Sequence, residues 1–325
     1  MGGGTQLISL PKAWVRRNKI IKGATISLEE TSDGRLLISP FSASYNPAKE
    51  VKIPYPSEYP ELLINKVTGA YLLGYDLILL QGEDKISYHD RELVKKAVSQ
   101  LVGLEIVEED SKSITVQFLL EPSTLEPERI FRRMHMIARG MYVDAITALL
   151  ESEKDIVRAV VHRDEEVNRL YFLLVRLIRS AVLDSSLASR YHLTPIECLD
   201  YRVASNILET VGDYSVEFAK NAQKMNEIRG TSGLESQFKT IRESLQGSQD
   251  LAVRSFLTRN AADAREVVRL YREITQTVRD FERTTSEQSP SAVHVTIATA
   301  SSIDKIARCQ VDIADLVAPV YPIVR

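Results

Sequence analysis

The residues whose types and spacing could do chemistry first appear near the N-terminus. Lys12, Arg16, Arg17, Lys19 and Lys22 all precede the first acidic residue, Glu29, and lie within about three helical turns of one another. Such a cluster can neutralise the phosphates of a nucleic acid, which gives affinity and salt dependence without sequence specificity. The formal net charge of the 325-residue chain is −3, so any attraction to a polyanion has to be local. Alone, a cluster of this size is an ordinary solvated face. Its setting decides.

The remaining reactive side chains do not converge. His89, His135, His162, His192 and His294 stand singly, without a partner at zinc-ligand spacing. Cys198 and Cys309 fall within amphipathic helical patterns, where cysteine acts as a small apolar residue. Met1-Gly2-Gly3-Gly4-Thr5 lacks the lysine and helix start of a phosphate loop. Tyr88, His89 and Asp90 are adjacent in sequence and so face different directions on either a helix or a strand. Met134, Met136 and Met141 suit core packing better than an interaction surface. No nucleophile, base and metal set emerges, and a non-enzymatic protein is expected.

The chain is 44% hydrophobic and 26% charged, the balance of a soluble globular protein. Its apolar runs are far shorter than the roughly 20 residues of a membrane span. With only two cysteines and no signal-like apolar core at the N-terminus, a cytoplasmic location is expected. At this length two or three domains are natural, and the pattern divides at residues 1–45, 46–124 and 125–325.

In the first region Gln6–Leu10 reads as a strand and Lys12–Lys19 as a helix opened by Pro11 and stopped by Gly23. Thr25–Leu28 and Arg35–Ile38 read as a hairpin around Asp33-Gly34. Residues 41–61, rich in Pro, Ser and Tyr, read as a linker with some extended structure. An α/β region comes next, with helices at 62–73 and 91–101 and strands at 77–81, 105–108 and 114–119.

From Glu126 onward apolar residues recur at three- and four-residue steps, as in Val167, Leu170, Tyr171, Leu174, Leu177, Ile178 and Val182. About six long helices are expected, with breaks near Ser185-Ser186, Gly230–Gly233, Arg259-Asn260 and Ser289-Pro290. Residues 164–171 align with residues 264–271 through the shared step V-x-R-L-Y, which suggests two similar three-helix halves. The fold class is therefore mainly α.

Two resemblances sharpen this reading. Ile8-Ser9-Leu10-Pro11-Lys12-Ala13-Trp14, then Gly23-Ala24-Thr25-Ile26-Ser27, then Asp33–Pro40 resembles the AbrB/MazE-type swapped-hairpin DNA-binding family. That resemblance implies an obligate dimer with interlocked strands, presenting Lys12, Arg16, Arg17 and Lys19 to DNA. The second rests on Arg133-Met134, Ile137–Met141, Asp164–Tyr171, Leu208–Val216 and Ile303–Ala314. Those segments resemble the PhoU family, which implies tandem three-helix bundles and a role in phosphate uptake or phosphate-responsive transcription. The pairing of the two looks like an archaeal arrangement.

Some members of the second family bind metal through E/D-x-x-x-D pairs, whose i, i+4 spacing puts two oxygen ligands on one helix face for a hard divalent cation or iron. Glu209 and Asp213 keep such a pair, and Asp164 and Asn168 keep half its charge. Ala264 and Val268 lose it, and Asp304 with Arg308 reads as a helical ion pair. The alternative is that Glu209 and Asp213 only solvate the helix or pair with Arg202 and Lys220. The expected protein is a homodimeric regulator that binds DNA through its head and senses phosphate status through its bundles. The rival expectation is a regulator that contacts a phosphate transporter ATPase or a signalling kinase through the bundles, without DNA.

Overall fold

The computed structural model describes residues 7–30, 34, 36–40, 48–56, 62–151, 154–228, 233–283 and 290–317. The chain divides into two units, residues 1–48 and 49–325.

In the first unit helix α1, Lys12–Arg17, begins directly after Pro11. Asn18 ends it, donating from its side-chain amide to the Trp14 carbonyl at 2.9 Å. Lys19, expected inside this helix, is instead left-handed with φ 52°. Strands β1, Ile26–Glu30, and β2, Leu36–Pro40, form the expected antiparallel hairpin. Leu7–Leu10, expected as a strand, is not one, because these residues find no ladder to join among the described residues; Gln6 lies outside them. No described side chain of this unit is buried.

The second unit begins with a four-stranded sheet. Its elements are β3 (Glu50–Tyr55), α2 (Leu63–Leu72), β4 (Leu77–Gly82), α3 (Tyr88–Ser99), β5 (Leu104–Glu109) and β6 (Ser113–Phe118), with strand order β3-β4-β6-β5. β3 runs parallel to β4 and the other pairs are antiparallel. β3 lies in the Pro-, Ser- and Tyr-rich stretch expected as a linker with some extended structure, and it contains Pro54. At a sheet edge that proline is tolerated, since no ladder bond is needed from it on the outer side.

Helix α3 starts three residues before the expected Arg91. The hydroxyl of Ser87 accepts from the Asp90 amide at 3.1 Å and donates to the Asp90 carboxylate at 2.7 Å. The Tyr55 hydroxyl donates to the same carboxylate at 2.9 Å. Asp90 is thereby committed to capping.

The remaining helices are α4 (Pro127–Glu151), α5 (Lys154–Leu183), α6 (Ser185–Tyr191), α7 (Pro195–Ile228), α8 (Glu235–Thr258), α9 (Ala261–Arg283) and α10 (Pro290–Asp315). Apart from the short α6, these are the six expected long helices. Helices α4, α5 and α7 pack together, as do α8, α9 and α10, while α7 against α10 and α4 against α8 join the halves. At the join, the Tyr142 hydroxyl and the Gln310 amide both donate to the Leu245 carbonyl, at 3.3 and 3.1 Å.

The expected repeat has a structural counterpart. On α5 the Tyr171 hydroxyl donates to Asn206 of α7 at 2.9 Å, and on α9 the Tyr271 hydroxyl donates to Asp304 of α10 at 3.3 Å. The expected Asp304–Arg308 pair is corrected here. Arg308 closes on Asp312 at 3.3 Å one turn further on, because Asp304 is turned toward Tyr271 and Thr275. Among the described residues no helix is long and apolar enough to cross a membrane.

Helix α5 serves two cores. Leu174 and Ile178 face the bundle, while Leu173 and Leu177 pack with the sheet and with α2 and α3. Between them Arg176 is 1% exposed. Its guanidinium donates to the Tyr71 and Tyr75 carbonyls at 2.8 and 2.7 Å and to Asp76 at 2.7 Å. It also lies over the Phe118 ring at 3.9 Å. Next to it Gly74, at φ 79°, passes so close to Ser180 that a Cβ would stand 2.9 Å from that hydroxyl. The α/β layer and the bundle, expected as separate domains, cluster as one unit.

Arg176→Ala is expected to lower stability by about 2–4 kcal/mol, since it strands two carbonyls and a carboxylate partner. Arg176→Met, which keeps the volume, should cost less. Urea unfolding of both variants checks this; equal losses would mean that packing alone holds the layer in place.

Candidate functional site

The sequence points to two candidate sites, one in each unit. In the first, Lys12, Arg16, Arg17 and Lys19 are all exposed. Lys12 and Arg16 are one turn apart and share a face of α1. Arg16 and Arg17 occupy its last turn, where cations are favoured by the helix dipole, and no acidic residue stands in its first turn. The four side chains thus face solvent, as phosphate contacts require.

In the second unit Asp164 and Asn168 on α5 meet Glu209 and Asp213 on α7. The antiparallel packing that pairs Tyr171 with Asn206 brings the two sequence-distant i, i+4 pairs level with each other. The Asn168 amide donates to Asp164 Oδ2 at 3.3 Å. Gly212 makes the approach possible: a Cβ there would stand 3.0 Å from Asp164 Oδ1. Asp164 Oδ1 and Asn168 Oδ1 are buried oxygens without a hydrogen-bond partner among the described residues.

Gathering carboxylates away from water disfavours their charged forms. Desolvation, then the charge of Asp213, pushes the Asp164 carboxyl up to about 6. Desolvation, then the charges of Asp213 and Asp164, pushes Glu209 up to about 7. Burial also raises Asp213. Arg202 offsets part of this rise at Glu209, while its guanidinium stacks on Tyr171, 5.0 Å from the ring, and donates to Asn206 at 3.5 Å.

The donor set is oxygen-only and rich in negative charge, which suits a hard cation in kind. As the side chains lie, no three His, Cys, Asp or Glu groups among the described residues stand close enough to ligate one ion. Unaided, the arrangement raises the proton affinity of its carboxyls. In the second half Ala264 is buried and Val268 packs against the core, so the equivalent place on α9 is apolar.

The comparisons with known proteins bear on this half of the chain. Residues 131–222 match a family model described as PhoU domain. The match runs from Phe131 on α4 through α5 to Ala222 on α7, and it contains all four residues of the acidic cluster.

Among solved structures the chain is similar to PhoU from Pseudomonas aeruginosa, with 17% identity and a TM-score of 0.48, over 59% of this chain and 93% of that one. It is also similar to the phosphate transport system regulatory protein PhoU from Streptococcus pneumoniae, with 12% identity and a TM-score of 0.46, over 59% of this chain and 91% of that one. No curated protein matches the chain.

Sequence reading missed Gly212 and the orphaned oxygens, because close approach and burial are set between helices. It also missed the Arg202 stack on Tyr171, for which the only signal was an arginine one turn before Asn206.

The raised values fix the sign of a pH effect. Folding favours the protonated forms of Asp164, Glu209 and Asp213, so their contribution to stability is present below the unfolded values and is lost as pH rises through about 7. Glu209→Gln should therefore raise the melting temperature at pH 8 more than at pH 5. An equal gain at both values would show that Glu209 is freely hydrated.

Proposed function

We propose that this protein is a regulator of phosphate transport that acts by binding and not by catalysis. The observation that carries the reading is the PhoU domain match, which falls on the half of the bundle that holds the acidic cluster. The bundle domain would contact a component of the phosphate transporter, such as its ATPase, or a signalling kinase. The similar protein from Streptococcus pneumoniae is a phosphate transport system regulatory protein, and that name puts the transporter first among these partners.

The acidic cluster is the place where a signal would enter. A divalent cation or iron, held by Asp164, Asn168, Glu209 and Asp213 closing on it, would add positive charge to that of Arg202 and Lys220 near these oxygens. Manganese is the probe: it should raise the melting temperature of the wild-type protein and leave Asp213→Asn unmoved. Equal shifts in both would assign the effect to some other part of the surface.

A second reading adds DNA through the N-terminal unit, and a specific observation favours it. The four basic side chains are exposed, and the apolar Leu7, Ile8, Ile21, Leu28 and Leu36 of the same unit are exposed too. Apolar residues that find no core within about 48 residues call for a second copy to cover them. A dimer would also double the basic surface, as the AbrB-like pattern implies.

The test is a titration of upstream DNA across salt concentrations with the intact protein and an Arg16→Ala, Arg17→Ala variant. Steep weakening with salt, with lower affinity and a flatter slope in the variant, supports the DNA reading. If neither protein binds, the N-terminal unit is a dimerisation clasp and regulation runs through the bundle alone.

A further inference from the structure

Helix α9 repeats one kind of dipeptide at seven-residue spacing: Arg265-Glu266, Arg272-Glu273 and Arg279-Asp280. On a helix the three arginines form one row and the three acids a second, about 100° further round, with successive members of each row about 10.5 Å apart. Arg265, Arg272 and Arg279 are exposed, on the side of α9 away from its buried residues Val267, Ile274 and Val278.

The two rows differ in how they are answered. Arg269, which lies between them, closes on Glu266 at 2.6 Å and also on Glu273. Asp280 accepts from the Gln276 amide at 3.0 Å and pairs with Arg283 at 3.7 Å. The acidic row is therefore paired within α9. No acidic residue stands three or four positions from Arg265 or Arg272, so no neighbour one turn away can pair with them. Among the described residues the side chains of Arg265, Arg272 and Arg279 make no ion pair or hydrogen bond. Three guanidinium groups are left in a line about 21 Å long.

The internal repeat gives this face a counterpart. With Tyr171 matched to Tyr271, the residues Phe172, Leu173, Arg176 and Arg179 of α5 fall on Arg272, Glu273, Gln276 and Arg279 of α9. On α5 the face is covered: Leu173 is buried in the α/β core with Phe172 packed against it, Arg176 is bonded to the α/β layer, and Arg179 donates to the Leu72 carbonyl at 3.5 Å. On α9, which packs against α8 and α10, the four matching residues are exposed. The apolar pair Phe172 and Leu173 has been exchanged for charge, so whatever covers α9 has to be held by charge.

We propose that this face of α9 docks a helix of a partner protein that carries one carboxylate per heptad. Guanidinium forks bind carboxylates through two parallel hydrogen bonds. A helix laid along α9 has the same rise, so carboxylates seven residues apart meet Arg265, Arg272 and Arg279 in turn. The adjacent acidic row sets the selectivity. A uniform polyanion, such as an anionic membrane or a nucleic acid, brings negative charge against Glu266, Glu273 and Asp280 as well, whereas a patterned helix does not. This contact lies on the second half of the bundle, apart from the acidic cluster, and stands or falls without it.

Nuclear magnetic resonance of the full-length protein at low ionic strength tests this, since exposed charge pairs are weak and screened by salt. The probe is a synthetic three-heptad helical peptide with one glutamate per heptad, and the control is a peptide of the same composition with the glutamates scrambled. The heptad peptide is expected to shift the arginine side-chain Nε–H and backbone amide resonances of α9 between Arg265 and Asp280, and the scrambled peptide at least tenfold less. In the triple variant Arg265→Gln, Arg272→Gln, Arg279→Gln the backbone shifts should fall at least tenfold; all three positions are exposed, so folding is expected, and circular dichroism checks it. Equal shifts from both peptides, shifts elsewhere in the chain, shifts that persist in the variant, or none at all would overturn the proposal. So would larger shifts of α9 with anionic vesicles or duplex DNA at matched charge, which would make the face a polyanion contact. Concentration-dependent shifts of α9 without any peptide would overturn it in favour of a contact between copies.

Discussion

The burial of one guanidinium sets the terms for the second unit. Arg176 is among the largest side chains fully removed from water, and a charge in that position is tolerated only if its donors are answered. The Tyr71 and Tyr75 carbonyls and the carboxylate of Asp76 answer its two terminal nitrogens, and the face of Phe118 covers the guanidinium, while Nε has no hydrogen-bond partner among the described residues. Each of these belongs to the α/β layer, and Arg176 belongs to the bundle. The layer therefore cannot swing away from α5 without exposing an unpaired charge to an apolar seam.

Fixing α5 has consequences at its other end. The same helix carries Asp164 and Asn168 two to three turns before Arg176, and its antiparallel contact with α7 places them against Glu209 and Asp213. A carboxylate cluster of this kind works against folding when it is charged, and an isolated helix pair would relax by splaying. Here α5 is held on one side by the sheet and on another by α4, which packs against both α5 and α7. The cost of burying these carboxyls, and then of their mutual charge, is thus retained as raised proton affinity at Asp164 and Glu209.

The two halves of the bundle separate architecture from chemistry. Both keep the tyrosine that reaches from the second helix to the third, at Tyr171 and Tyr271. Only the first half keeps oxygen donors one and two turns earlier; the second has Ala264 and Val268 packed in their place. One half has been left free to carry a charged site, and the other supports it through the α7–α10 and α4–α8 contacts.

Sequence alone determined the mainly α class, the six long helices, the hairpin at Asp33-Gly34, the repeat and the four residues of the acidic cluster. Helical periodicity and i, i+4 spacing are local properties, so a one-dimensional reading recovers them. It could not place β3, whose proline is acceptable only because the strand lies at a sheet edge, nor the start of α3, which depends on Ser87 and Tyr55 meeting Asp90. The pairing of Arg308 with Asp312 was likewise decided by where Tyr271 and Thr275 turn Asp304. Tertiary structure alone decided that Arg176 is buried with its terminal nitrogens bonded to the α/β layer, and that Gly212 lets Asp164 approach α7. Each of these depends on what lies across an interhelical gap, and no spacing along the chain encodes that distance.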